Sequence, residues 1–172
     1  GWNSWNCWAR DVTQEQILSS ARAMVEKGLA DHGWSYINID DGWQGRRGGR
    51  YNAIQPNKKF PDMAALTREI HDMGLRVGIY STPWIGTYAA HIGSYSDRPD
   101  GENEWIEKGL HNENYRYQKP GGNYWEDRCE VWHHGPYSFV EADVKQWAEW
   151  GIDYLKYDWH PLNYYHVREM FD

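Results

Sequence analysis

QWAEWGIDYLKYD, residues 146–158, packs the end of a helix, a glycine stop and a strand into one short stretch. Val140, Val144, Trp147 and Ala148 repeat at helical spacing, Gly151 ends the helix, and Tyr154 to Asp158 reads as a strand whose far end is charged. Ser138 and Glu141 stand at capping-box spacing and predict where that helix starts. A helix, a glycine and a short strand with a polar end is the repeating unit of a parallel β/α fold.

The same order occurs twice more upstream. Thr13 and Gln16 open a helix with Ile17, Leu18, Ala21, Met24 and Val25 on one face; it stops at Lys27-Gly28, and a strand follows over Tyr36 to Asp40. A second helix begins near Asp62, carries Met63, Leu66, Ile70 and Met73, and gives way at Gly74 to a strand over Leu75 to Tyr80. Trp2 to Trp5 reads as a strand ahead of the first helix. Four strands and three helices make half of a (β/α)8 barrel of about 250 residues. The expected fold class is therefore α/β: the N-terminal half of a TIM barrel, residues 1–172 forming part of a catalytic domain, with VREMFD as the start of a further helix. Such a piece is expected to expose apolar edges that further strands would cover.

Strand alternation locates the chemistry. Ile37, Ile39, Val77, Ile79 and Leu155 can face the helices, which turns Asn38 with Asp40, Arg76 with Tyr80, and Lys156 with Asp158 to the opposite side. Parallel strands covered on both faces are usually apolar throughout, so three polar inner faces call for either a buried ion-pair network or a site at the strands' C-terminal ends. After the third strand, residues 82–137 form a long aromatic-rich insertion without helical period, running from Trp84 and Tyr88 to Trp132. Segments of that length inside a compact domain are functional or locally structured.

Composition narrows the partners. The 172 residues carry 25 acidic and 18 basic side chains, a net charge of -7, which leaves no footprint for a nucleic-acid backbone or an anionic membrane. No apolar run approaches the roughly 20 residues of a bilayer-spanning helix. Leu, Ile, Val and Phe number only 27, under the roughly 20% typical of folded chains, yet 12 Trp and 13 Tyr supply the missing apolar area. Aromatics in excess also suit the flat faces of a sugar. Cys7 and Cys129 define no disulfide framework or zinc pattern and read as two reduced thiols.

Lys156 and Asp158 are two apart on one strand, so both point the same way, and an ammonium beside a carboxylate favours the ionised acid. A charged carboxylate in a partly enclosed pocket can attack an anomeric carbon or support an oxocarbenium-like centre. Taken alone, the spacing more often marks a structural salt bridge. Asp40 and Asp41 add acceptors suited to sugar hydroxyls, or cap the loop that opens at Gly42.

GWNSWN at 1–6, YINIDDGWQ at 36–44, FPDMAAL at 60–66, MGLRVGIYS at 73–81 and QWAEWGIDYLKYD together resemble, in order, the signatures of the α-galactosidase (melibiase) family, glycoside hydrolase family 27. The resemblance implies a (β/α)8 barrel and a retaining double displacement without a cofactor or metal. It implies Asp158 as nucleophile, Lys156 as its sugar-binding neighbour, Asp40 and Asp41 as the pair that holds the hydroxyls at positions 4 and 6, Trp5 along the sugar face, and Tyr80 at the end of the third strand. It also implies a second carboxylic acid from a later strand, which no residue here matches. His160 stands where relatives carry a bridged Cys beside the sugar, and Gly42 where animal relatives carry another; His160 therefore either contacts substrate or hydrogen-bonds Asp158. The implied partner is an oligosaccharide or glycoconjugate, and the implied location is extracellular or periplasmic.

Three functions compete: a retaining glycosidase for terminal α-galactosides or a related sugar such as an α-glucan or β-L-arabinopyranoside, a non-catalytic carbohydrate-binding half-barrel, and a metal-dependent hydrolase using Asp158, His160, His133 and His134. The last is weakest, since no HxH or HExxH motif is present.

Overall fold

The computed structural model describes residues 1–102 and 135–158. Cys129, His133, His134, His160, the VREMFD segment and most of the aromatic insertion lie outside the described residues.

Local chemistry sets the helix ends. In α2 (Gln14–Glu26) Thr13 accepts a hydrogen bond from the Gln16 amide while the Gln16 side chain accepts one from the Thr13 amide, a complete capping box. Ile17, Ala21 and Met24 are buried, but Val25 is exposed, because it lies off the stripe that the other three define. The short helix α1 (Trp5–Trp8) precedes α2, so Trp5 is helical rather than the end of a strand. In α3 (Met63–Asp72) the Asp62 carboxylate caps the Ala65 amide, and Met63, Leu66, Thr67 and Ile70 are buried.

The helix α4 (Val140–Trp150) departs from the expected design. Phe139 occupies the N-cap with no side-chain cap, because Ser138 belongs to a strand pair and Glu141 turns outward to Lys145 at 2.6 Å. Its buried side chains are Asp143, Gln146 and Trp147, whereas Val144 is exposed. The reason is tertiary: a hairpin of β3 (Gln44–Gly48) and β4 (Ala53–Pro56), not anticipated from local periodicity, packs on α4 and presents a buried arginine to it.

The central sheet is parallel. Its strands β1 (Trp2–Asn3), β2 (Tyr36–Ile39), β5 (Arg76–Ser81) and β8 (Tyr154–Tyr157) lie side by side in that order, with Tyr36 opposite Arg76 and Tyr80 opposite Lys156. Ile37, Ile39, Val77 and Ile79 are buried against the helices, as alternation predicts, and Leu155 packs at the edge of the same core. Gly78 leaves room for Asn38, whose amide donates to the Trp2 carbonyl.

After β5 the chain folds back on itself. Backbone hydrogen bonds from Thr87 to His91, Gly93 to Ile85, Ser94 to Thr82 and Tyr95 to Trp84 make residues 82–95 a tight excursion. Then β6 (Tyr95–Ser96) pairs antiparallel with β7 (Tyr137–Ser138), which brings the two ends of the longer segment together beside α4. Among the described residues no helix is long and apolar enough to cross a membrane.

Candidate active site

The polar inner faces divide by height along the strands. At the lower end Arg76 stays local, its guanidinium donating to the Tyr36 hydroxyl at 3.0 Å. At the C-terminal ends the side chains converge: Trp5, Asp40, Asp41, Tyr80, Lys156 and Asp158 all line one cavity of about 240 Å3. Every sequence-derived candidate within the described residues is in this cavity. A seventh, Tyr88, joins them from the excursion after β5.

Hydrogen bonds between neighbouring strands hold the constellation. The Ser4 amide donates to the Asn38 carbonyl, and the Asp40 amide to the Ser4 hydroxyl, which fixes the end of β1 against β2. Asn3 then accepts from the Trp5 amide at 2.9 Å and donates to Asp40 at 2.7 Å, setting Trp5 at the rim. Gly42 follows the acidic pair at φ +113, and a Cβ there would lie 2.7 Å from the Arg10 carbonyl oxygen. A cysteine does not fit this backbone.

The electrostatics correct one expectation. The Lys156 ammonium pairs with Asp40 at 2.8 Å, across the sheet, so the anticipated lysine companion of Asp158 is engaged with another carboxylate. Among the contacts of Asp158 is a hydrogen bond from the Tyr80 hydroxyl at 3.0 Å. Burial, followed by the nearby Asp41, Asp158 and Asp40, pushes the Tyr80 phenol well above its ordinary range, so it remains a neutral donor. The Lys156 ammonium also lies 5.0 Å from the centre of the Tyr80 ring. An ion-pair network and a pocket, posed as alternatives by the sequence, are the same object.

Asp41 is held differently. One oxygen accepts from the Thr87 hydroxyl at 2.7 Å and the other from the Ala89 amide at 2.6 Å, so its carboxylate clamps the tip of the excursion that carries Tyr88. Burial raises its pKa from 3.8 to about 6, against the opposing effect of these two donors. A carboxyl raised on folding favours the native state fully below pH 4, and that contribution is lost as the pH climbs through 6. Asp41→Asn is isosteric, can accept from Ala89 and donate to the Thr87 oxygen, and does not ionise. Urea unfolding of this variant should lose a pH dependence of about 2 kcal/mol between pH 4 and 7; parallel profiles for variant and parent would show that Asp41 titrates normally.

Thr87, Tyr88 and Ala89 carry no periodic or motif signal; Thr87 and Ala89 are identified only by Asp41, 46 and 48 residues away, and Tyr88 only by its place in the cavity. Among the described residues no cluster of His, Cys, Asp and Glu could hold a metal ion.

Comparison with known proteins gives the family of the chain. The family profile described as alpha galactosidase A matches residues 4–105, more than half of the chain. The chain is similar to the protein named "Probable alpha-galactosidase B" of Neosartorya fischeri, 34% identical over 162 residues that make up 92% of this chain and 27% of that protein. Among solved structures, α-galactosidase I from Mortierella vinacea shares 30% identity with a TM-score of 0.65, covering 93% of this chain and 30% of that one. An α-galactosidase from Saccharomyces cerevisiae, solved with raffinose, shares the fold at 23% identity and a TM-score of 0.64, over 93% of this chain and 26% of that one. The chain thus spans about a quarter of the length of the curated relatives it matches. With the motifs in order, a family profile over more than half of the chain and a relative 34% identical over 92% of it, the chain belongs to the α-galactosidase (melibiase) family.

Proposed function

We propose that this chain is the N-terminal part of a retaining glycoside hydrolase that cleaves terminal α-galactosidic or closely related linkages, with Asp158 as the nucleophile. The observation that carries the reading is the single cavity lined by Trp5, Asp40, Asp41, Tyr80, Lys156 and Asp158 at the C-terminal ends of parallel strands, the end where such barrels place their chemistry. At about 240 Å3 it suits one sugar ring better than a drug-sized ligand, whose pockets start near 300 Å3.

Each side chain then has a task. Trp5 offers an apolar face to the ring, and Asp40 with Lys156 supplies acceptors and a donor for its hydroxyls. Tyr80 orients Asp158 by donating to one of its oxygens, so the carboxylate attacks the anomeric carbon in a fixed direction. The C–O bond to the leaving group breaks as the bond to Asp158 forms, and positive charge that develops at the anomeric centre is supported by the surrounding carboxylates. A second carboxylic acid, from a later strand, protonates the leaving oxygen and then deprotonates the water that releases the sugar. Asp41, whose oxygens serve the excursion, shapes the wall through Tyr88. The excursion after β5 reaches the site through Tyr88, and the whole enzyme is exported.

Stereochemistry tests the reading. The intact protein that carries this chain, given an aryl α-galactoside and followed by proton NMR, should release α-galactose first, with β-galactose appearing only by mutarotation. Initial release of the β anomer would exclude double displacement, and absence of hydrolysis with binding retained would favour the non-catalytic module.

A further inference from the structure

A second cavity, of about 690 Å3, opens between the start of the β3–β4 hairpin, residues 57–59 and the excursion after β5. Its polar side chains are Gln44, Asn57, Lys58, Lys59 and His91; Gly45, Ala90 and Ile92 complete it. It adjoins the sugar pocket, since His91 lines this cavity, Asp41 lines the other, and their side chains approach to 3.8 Å.

Two observations point to a ligand. First, Gln44, Lys58 and Lys59 each offer an N–H group and His91 a ring nitrogen, while Asn57 spends its amide on the Gly42 and Gln44 carbonyls; no acidic residue is among the described residues that line the space, although the chain as a whole carries a net charge of -7. The Lys59 ammonium donates to the Arg10 carbonyl and keeps two further N–H groups, while Lys58 is exposed. Second, Gln44 is 2% exposed, and its side-chain nitrogen has no hydrogen-bond partner among the described residues. The orientation of that amide is settled by its own oxygen, which accepts from the Gly42 amide at 3.0 Å. Buried donors are nearly always satisfied, so an orphan beneath a donor-lined cavity indicates an acceptor that arrives from outside.

We propose that this cavity binds a carboxylate-bearing saccharide next to the catalytic pocket, with Gln44, Lys58 and His91 as the recognising groups. A uronic acid combines a charged acceptor for the lysines with hydroxyl oxygens for the Gln44 amide. The site does not depend on the hydrolytic reading, because occupancy needs no bond cleavage.

Calorimetry on the intact protein, with excess galactose filling the catalytic pocket, tests this with glucuronate and glucose as a charged and neutral pair. Glucuronate should bind at least about tenfold more tightly than glucose, and more weakly as salt is added. Lys58→Ser should weaken it about threefold, the loss of one exposed charge contact. Gln44→Glu keeps the acceptor for Gly42 and replaces the orphan donor with a like charge, so binding should fall about tenfold or more. Lys58 contacts none of the catalytic side chains, so its variant should hydrolyse an aryl galactoside at the parent rate. Equal affinity for the two sugars, no binding of glucuronate, or unchanged affinity in both variants would overturn the proposal.

Discussion

Asp158→Asn should reduce kcat on an aryl α-galactoside by at least about a thousandfold while leaving the thermal unfolding transition near its original position. The carboxamide occupies the same volume and can still accept the hydrogen bond from Tyr80, so the fold has no reason to change. What it lacks is a charged oxygen able to form the glycosyl ester. Removing the side chain altogether, as Asp158→Ala, leaves a gap on the face from which it attacks. Azide should enter that gap, restore turnover of a substrate with an activated leaving group, and yield the β-configured glycosyl azide. Near-normal turnover by Asp158→Asn, or an azide product of α configuration, would remove Asp158 from the nucleophile's role.

Asp143→Ala should destabilise the protein by about 3–5 kcal/mol, read as a lower urea midpoint with an unchanged slope. Asp143 and Arg47 are almost fully enclosed, with side-chain exposures of 0% and 2%. Arg47 donates to Asp143 at 2.7 and 3.2 Å and to the Gly93 carbonyl at 2.6 Å, Asp143 also accepts from the Ile54 amide at 2.9 Å, and the guanidinium lies 4.3 Å from the centre of the Phe139 ring. One pair therefore ties α4, the β3–β4 hairpin and the excursion after β5 together. Truncating one partner strands a buried charge, whereas replacing both with Arg47→Met and Asp143→Leu removes the desolvated charges together and should recover much of the loss. A single variant within about 1 kcal/mol of the parent would place the pair outside the cooperative core.

Much of this architecture is written locally. Thr13 with Gln16 and Asp62 with Ala65 cap their helices as their spacing requires, and Ile37, Ile39, Val77 and Ile79 are buried because alternation along a strand leaves them no other face. Where local rules failed, a distant partner had intervened. Ser138 is not the N-cap of α4 because it is paired with Tyr95 in a strand, from where its hydroxyl reaches only the Val140 amide at 3.4 Å, and Val144 lost the buried face of that helix to Asp143 because Arg47 approaches from the hairpin.

Composition, helix caps, strand alternation and the motif order suffice to read a parallel β/α fold that resembles the α-galactosidase family and to nominate six of the seven side chains of its cavity. Which carboxylate the Lys156 ammonium neutralises, that Tyr80 is the donor to Asp158, that Asp41 clamps Thr87 and Ala89, and that Tyr88 joins the cavity all came from three-dimensional packing. The division is physical. Caps and alternation act over at most a few residues, where the backbone dictates who meets whom, whereas Coulomb attraction and hydrogen bonding act through space and join residues such as Asp40 and Lys156, 116 positions apart, only after the strands have taken their register.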